Sequence, residues 1–296
     1  MTIFLTGANG FIGQSLKNYF SDFYNFSDFN RENKIEIKED IILHFAGKAH
    51  DLKKKSNASE YYKINTDLTK TVFNAFLSSE AKIFIILSSV KAAADSLQTI
   101  LTEDYTPNPL THYGKSKLLA EQYILSKSIP EGKRVYILRA CMIHGPGNKG
   151  NLNLLYKIVS KGFPWPLGAF DNMRSFCSID NLCFIINELI QNESIPSGIY
   201  NVADDEPLST NDLIKLISSS QSKKYKIWKV PESLINLFSK IGDLFKFPLN
   251  SERLSKLTET YIVSNAKIKS AINKPLPFTA KEGLMKTLNS FNTNVK

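Results

Sequence analysis

Eight residues near the start, Thr6-Gly7-Ala8-Asn9-Gly10-Phe11-Ile12-Gly13, constrain this chain more than any others. Ile3, Phe4 and Leu5 precede them as a short apolar strand, and Phe11, Ile12, Leu16, Tyr19 and Phe20 follow at helical spacing. Glycines at such a strand-to-helix junction let the backbone turn tightly and approach an anion, and the free N–H groups at the helix start favour a phosphate. By itself the pattern fits either a pyrophosphate seat or a turn that merely needs positive φ, so residues further along must choose.

The 296 residues, 43% hydrophobic and 22% charged, suit a globular chain of one large domain or two modest ones. Cys141, Cys177 and Cys183 form no C-x-x-C pair, and His44, His50, His112 and His144 lack metal-ligand spacing. Neither a disulfide framework nor a metal is therefore expected, and a reducing cytoplasm is the expected compartment. The first residues run straight into a strand, which argues against export. Trp228 to Phe247 is apolar but interrupted by Lys229, Glu232, Lys240, Asp243 and Lys246, which predicts an amphipathic helix rather than a transmembrane segment. Membrane-surface contact is a minor expectation there. Lys and Arg exceed Asp and Glu by 37 to 28, a charge of +9. No zinc-finger spacing, aromatic RNA-binding signature or basic-helix dimer pattern accompanies that charge, so it reads as a solvated basic surface and no nucleic acid is expected as a partner.

Beyond the first helix, Phe23–Phe26 and Ile41–Phe45 read as the second and third strands, with room between them only for a loop or one helical turn. The end of a second strand commonly meets an adenosine ribose. There Asp28 would favour NAD and Arg31 NADP, and the spacing from Gly13 favours Arg31. Lys53-Lys54-Lys55 opens a polar loop, Tyr61–Leu77 is helical in period, and Ile83–Leu87 is a strand buried on both faces that empties into Ser88-Ser89. Thr111–Ser126 predicts a helix on which Tyr113 and Lys117 stand one turn apart, and Val135–Leu138 is the next strand. This alternation predicts an α/β fold, a Rossmann-like doubly wound parallel sheet with a smaller C-terminal substrate domain. The expected division gives residues 1–146, with a return segment 176–206, to the dinucleotide-binding domain, and residues 147–175 and 207–296 to the substrate domain.

Taken together, Thr6-Gly-x-x-Gly-x-x-Gly13, Ser88-Ser89, Tyr113-x-x-x-Lys117 and Arg139 with His144-Gly145-Pro146-Gly147 resemble the extended short-chain dehydrogenase/reductase family of nucleotide-sugar epimerases, dehydratases and reductases. The resemblance covers nearly the whole chain. It implies a catalytic trio of Ser89, Tyr113 and Lys117, and a NADP or NAD site made by Gly7, Asn9, Gly10, Phe11, Ile12, Gly13, Arg31, Phe45, Ala46, Gly47 and Asn65 with Tyr113 and Lys117. Tyr113 would pass a proton to a carbonyl oxygen that Ser89 also binds, with the Lys117 ammonium lowering the phenol's pKa. In the family's 4,6-dehydratases an Asp-Glu pair follows the strand-end hydroxyl. Val90 and Lys91 stand there in this chain, which disfavours elimination of water.

The stretch Gly145 to Asn151, Gly162-Phe-Pro-Trp-Pro-Leu-Gly168, Asn172-Met-Arg-Ser175 and Ile179-Asp-Asn181 resembles the UDP-glucose 4-epimerase-like subgroup. Within it the likeness is to reductases of UDP-4-keto-6-deoxy-N-acetylhexosamines, which serve bacterial surface polysaccharide synthesis. The implied activity is NAD(P)H-dependent reduction at C4 of a UDP-sugar. Lys149, Asn151 and Arg174 would supply amide and cationic donors to it, and Ser89, Lys91 and Leu167 would line the rest of its site. A UDP-hexose 4-epimerase with bound NAD and a non-catalytic dinucleotide-binding regulator are the competing readings. The resemblance also implies a homodimer through two helices per subunit. Ile199–Val202 is expected as a return strand, Ser209 as a helix cap, Leu213–Ile217 and Leu234–Phe245 as amphipathic helices, and Pro275–Leu288 as the C-terminal helix.

Overall fold

Alternating apolar strands and helices build a parallel sheet with its two faces covered by different helices. The structure, a computed structural model, describes residues 1–29, 35–48, 57–148, 150–223, 226–245 and 250–293, with residues 151 and 293 described by backbone alone. Arg31, His50, Lys53, Lys54, Lys55 and Lys149 lie outside the described residues. In chain order the first elements are β1 (Thr2–Thr6), α1 (Phe11–Phe20), β2 (Asn25–Asp28), β3 (Ile41–His44) and α2 (Ala58–Tyr61). A π-helical turn (Tyr62–Asp67) leads into α3 (Leu68–Leu77), and β4 (Ile83–Ser89) runs into a 3-10 turn (Val90–Ala92). Then come α4 (His112–Leu125), β5 (Arg134–Ala140), β6 (Met142–His144), α5 (Asn151–Ser160), β7 (Phe176–Ser178), α6 (Ile179–Gln191) and β8 (Gly198–Val202). The chain closes with α7 (Thr210–Ser220), α8 (Glu232–Phe245), α9 (Ser251–Thr258), α10 (Ala266–Ile272) and α11 (Ala280–Thr293).

The six-stranded sheet has the order β2-β1-β3-β4-β5-β8 with every pair parallel, the Rossmann-like arrangement expected from the sequence. Strand residues alternate between two cores, as a period of two requires. Ile3, Leu5, Leu43, Ile85 and Leu138 pack with Leu16 and Phe20 of α1 and Leu182 and Ile186 of α6. Phe4, Ile42, Phe84, Ile86 and Ile137 pack with Val72, Phe73 and Phe76 of α3 and Ile124 of α4. Strand order reverses between β1 and β3, so the turns leaving these two strands flank the crevice where a doubly wound sheet binds its ligand.

Two elements differ from expectation for visible reasons. The second strand is Asn25–Asp28 rather than Phe23–Phe26, because the N–H groups of Phe23 and Tyr24 turn back to the Phe20 carbonyl as α1 ends. The predicted helix over Tyr61–Leu77 contains the π-helical turn, which directs Asn65 and Thr66 inward against α4.

A separate core gathers Leu152, Val159, Trp165, Leu167, Leu213, Ile217, Ile235, Leu254, Leu284 and Leu288. Set beside the expected division into residues 1–146 with 176–206 and residues 147–175 with 207–296, two groups of buried residues stand out as exceptions. Tyr261, Val263, Ile268 and Ile272 belong to the core under the sheet, and Phe176 belongs to the second core. The Leu101–Val263 bridge explains the first exception by tying that late segment to the sheet lobe.

Candidate active site

Gly7 has φ +79°, and a Cβ on it would meet the Phe45 carbonyl and the Ala46 nitrogen at 2.7 Å. A Cβ on Gly13 would meet the Gly7 oxygen at 2.3 Å, so both glycines are required by close backbone approach. Gly10 caps α1 in extended conformation without a side-chain hydrogen bond, which leaves the helix's first N–H groups to face an anion. An uncapped helix start and glycine surfaces that a Cβ would fill fit a dinucleotide pyrophosphate. At the end of β2, the Asp28 carboxylate is held by Lys17 at 2.6 Å.

Behind the crevice runs a hydrogen-bonded scaffold that the sequence reading missed. Thr6 Oγ1 accepts the N–H groups of Phe45 and Ala46 at 3.1 and 3.0 Å and lies 2.8 Å from His44 Nδ1. His44 Nε2 lies 2.8 Å from Thr69 Oγ1, whose proton goes to the Asn65 carbonyl. The network therefore places the imidazole proton on Nε2, and burial lowers the His44 pKa to about 3, so the ring is a neutral strut. Asn65 belongs to the same scaffold. Its Oδ1 accepts from the Lys48 N–H at 2.8 Å, and its amide nitrogen donates to the Lys48 carbonyl and to Ser116 Oγ. Its polar atoms thus brace the Phe45-Ala46-Gly47 loop, the surface against which a cofactor would lie.

Ser89, Tyr113 and Lys117 are brought together around a cavity of about 180 Å³, with Ile12, Phe45 and Gly47 on the cofactor side and Cys141 opposite. Ser89 ends β4 and hydrogen-bonds the Tyr113 hydroxyl. Lys117 is 7% exposed and donates to the Leu87 carbonyl at 2.9 Å. Its Nζ sits 3.1 Å from where a Gly47 Cβ would be. Burial lowers the Lys117 pKa to about 8, with buried Glu121 opposing the fall. The sequence reading expected Lys117 to lower the Tyr113 pKa. Instead desolvation raises the phenol, with only the Ser89 hydrogen bond working in the other direction.

The start of α4 is fixed by groups that its sequence half-reveals. Thr111 caps it, accepting from the Gly114 N–H, and Asp95 accepts from the Thr111 hydroxyl and from the N–H groups of Leu110 and Thr111. Gly114 lies so close to the 3-10 turn that a Cβ would meet the Lys91 carbonyl at 2.4 Å. Deeper in α4, Glu121 pairs with Arg139 at 2.7 Å, both buried, and also accepts from the Ser88 hydroxyl.

Of the expected substrate donors, Lys91 lies 4.1 Å over the Tyr261 ring and donates to the Asp95 carbonyl at 2.6 Å. Arg174 is near enough to help lower the Lys91 pKa, which burial depresses first, while Glu259 opposes the fall at both residues. The Arg174 guanidinium also donates to the Lys256 carbonyl. Leu167 does not present its side chain to ligand, for it is 4% exposed within the second core. It supports from beneath the rim Gly168–Asp171 of a second cavity, about 520 Å³, that Ser209, Asn211 and Lys229 complete. Asn151 opens α5, and Ser209 caps α7 as expected, accepting from the Asp212 N–H.

Residues 21–203 match the NAD dependent epimerase/dehydratase family. The match begins beyond the glycine turn, whose assignment rests on the geometry above. A UDP-glucose 4-epimerase of Vibrio cholerae is 28% identical over 98% of this chain and 95% of its own length. The N-acetyl-alpha-D-glucosaminyl-diphospho-ditrans,octacis-undecaprenol 4-epimerase of Escherichia coli O157:H7 is 25% identical over 97% of this chain and 94% of its own. The crystal structure of UDP-glucuronic acid 4-epimerase from Bacillus cereus in complex with NAD is similar with a TM-score of 0.77 at 17% identity, covering 100% of both chains. At that identity the likeness concerns the fold.

Proposed function

The chain belongs to the NAD dependent epimerase/dehydratase family, and we propose that it reduces the C4 ketone of a UDP-4-keto-6-deoxy-N-acetylhexosamine with NADPH or NADH. Chemistry at C4 of a diphosphate-linked sugar is supported by the family and by the full-length relatives named as 4-epimerases. One observation carries the reductive reading: the hydrogen-bonded Ser89–Tyr113 pair stands at the cavity with its phenol held protonated. Two hydroxyl donors then converge where a ketone oxygen would lie. Tyr113 gives up its proton as that oxygen gains charge, and Ser89 shares the oxygen. The reduced nicotinamide, when bound, supplies the hydride. The Ser89 hydrogen bond eases formation of the phenolate left behind.

The turn Gly7–Gly13, the loop Phe45–Gly47 and Lys117 would hold the dinucleotide, with Arg31 at a 2′-phosphate. Lys17 neutralises Asp28, the acid that would otherwise repel that phosphate, which supports NADP. Lys91 and Arg174, with Lys149 and Asn151, are the proposed donors to the UDP-sugar. Val90 and Lys91 after Ser89 offer no carboxylate for a dehydration.

Incubating the purified protein with the keto sugar nucleotide and NADPH or NADH should consume cofactor and yield a 4-hydroxy sugar. Inertness with both cofactors would overturn the reading. The names of the two relatives favour an epimerase as the second reading. Tightly bound NAD in the purified protein, with interconversion of UDP-hexoses and no added cofactor, would select it.

A further inference from the structure

α8 presents three faces where a helix that only closes a core presents two. Ile235, Ser239 and Gly242 turn inward and are buried, so the helix is seated largely through small side chains. Leu234, Leu237, Phe238, Ile241 and Leu244 fall within an arc of about 120° at 3.6 residues per turn. They remain in solvent, with Leu237 54%, Phe238 58% and Leu244 77% exposed. Glu232, Asn236, Lys240 and Asp243 occupy the remaining side. Large apolar side chains ordinarily turn toward the core, whereas here they point away from it. The segment leading into α8 has the same character. Trp228 is 54% exposed, and its backbone is pinned to Trp165 at 2.8 Å.

Charge selects the partner. Among the described residues of Trp228's segment and α8, from 221 to 245, Lys223, Lys226, Lys229 and Lys240 are exposed against Glu232 and Asp243, a balance of 4 − 2 = +2 in a chain carrying +9. A second copy offering the same face would bring those cations together, whereas anionic lipid headgroups neutralise them while the acyl boundary receives Leu and Phe. Among the described residues no helix is long and apolar enough to cross a membrane, so the contact runs along a surface. We propose that α8, with Trp228 beside it, seats the protein on an anionic bilayer surface with the helix axis in the interfacial plane. Ile227 and Lys229, the neighbours of Trp228, line the cavity of about 520 Å³, so the seated face adjoins that cavity. This inference goes beyond the proposed reduction and does not depend on it.

The test is sedimentation of the full chain with vesicles of phosphatidylcholine alone and of phosphatidylcholine mixed in equal parts with phosphatidylglycerol. We expect the protein to partition onto the anionic vesicles at least about tenfold more than onto the neutral ones, and raised salt to weaken the binding. The variant Leu237→Glu/Phe238→Glu should lose anionic-vesicle binding by at least about tenfold while keeping its thermal midpoint and its native mass. Lys240→Glu, which leaves the apolar face intact, should lose part of it and provides the same reading should the double variant fail to fold. Wild-type protein left in the supernatant with both vesicles overturns the proposal. So does equal sedimentation of wild type and variants, or an oligomer dispersed by the double variant without any vesicle binding, which would assign the face to a second copy.

Discussion

At Tyr113 and Lys117, burial acts on two protonation equilibria in ways that spacing does not reveal. The four-residue interval identifies the pair, because it puts both side chains on one helix face. It does not disclose that Lys117 spends its Nζ on the Leu87 carbonyl or that desolvation dominates at the phenol, since both depend on strands distant in sequence. Replacing Tyr113 by Phe removes the proton donor and leaves the cofactor crevice intact. We expect kcat to fall about 10²–10⁴-fold with cofactor affinity unchanged, and near-normal turnover by the variant would refute its role. Lys117 titrates at about 8 in the folded chain against an ordinary 10.5. Between those values the unfolded chain holds more protons, so folding stability rises with pH across that window and is lost as pH falls through it. Urea unfolding at several pH values should show a smaller rise in Lys117→Met than in wild type. Equal slopes would mean that Lys117 is not buried as described.

Elements were legible wherever an apolar period ran uninterrupted. β3, β4, β5 and α4 lie close to their predicted positions, whereas β2 slid by two residues because the end of α1 claims Phe23 and Tyr24. The π-helical turn leaves no mark in the pattern, since Tyr61–Leu77 keeps a helical period through it. Gly114 was equally silent. Glycine in a helix usually only weakens it, but in this first turn it lets α4 rest on the Lys91 carbonyl right beside Tyr113. Gly114→Ala should destabilise the fold by about 1–3 kcal/mol, the range for overpacking, and lower kcat more than cofactor affinity. A variant as stable and as active as wild type would show that this contact yields easily.

Over the whole molecule, the expected trio Ser89, Tyr113 and Lys117 shares its cavity with Ile12 of α1 and with Phe45 and Gly47 after β3, beside the crevice between β1 and β3 that the chain's opening residues suggest. Less legible was the late chain, where Tyr261–Ile272 returns to the sheet core and carries Tyr261 over Lys91. That return depends on a bridge to Leu101 far away in sequence, for which no local pattern exists. Cofactor choice also belongs to this scale, since it sets Arg31 against an Asp28 already neutralised by Lys17. Arg31→Ala should raise the KM for NADPH about tenfold, equivalent to about 1.4 kcal/mol, and leave that for NADH unchanged. An unchanged NADPH KM would assign the selectivity elsewhere.

The central claim is that a nicotinamide's hydride ends on C4 of the sugar while Tyr113 supplies the proton. The most direct measurement uses reduced cofactor deuterated at the transferring position, with mass spectrometry and NMR of the sugar nucleotide formed from the 4-keto substrate. We expect one deuterium at C4 of the product, one cofactor oxidised for each sugar reduced, and label transfer slowed about 10²–10⁴-fold with Tyr113→Phe. A 4-keto sugar left unreduced with the labelled cofactor unoxidised, while the same enzyme purified with its own NAD inverts C4 of a UDP-hexose without taking up label, would contradict the account and establish the epimerase.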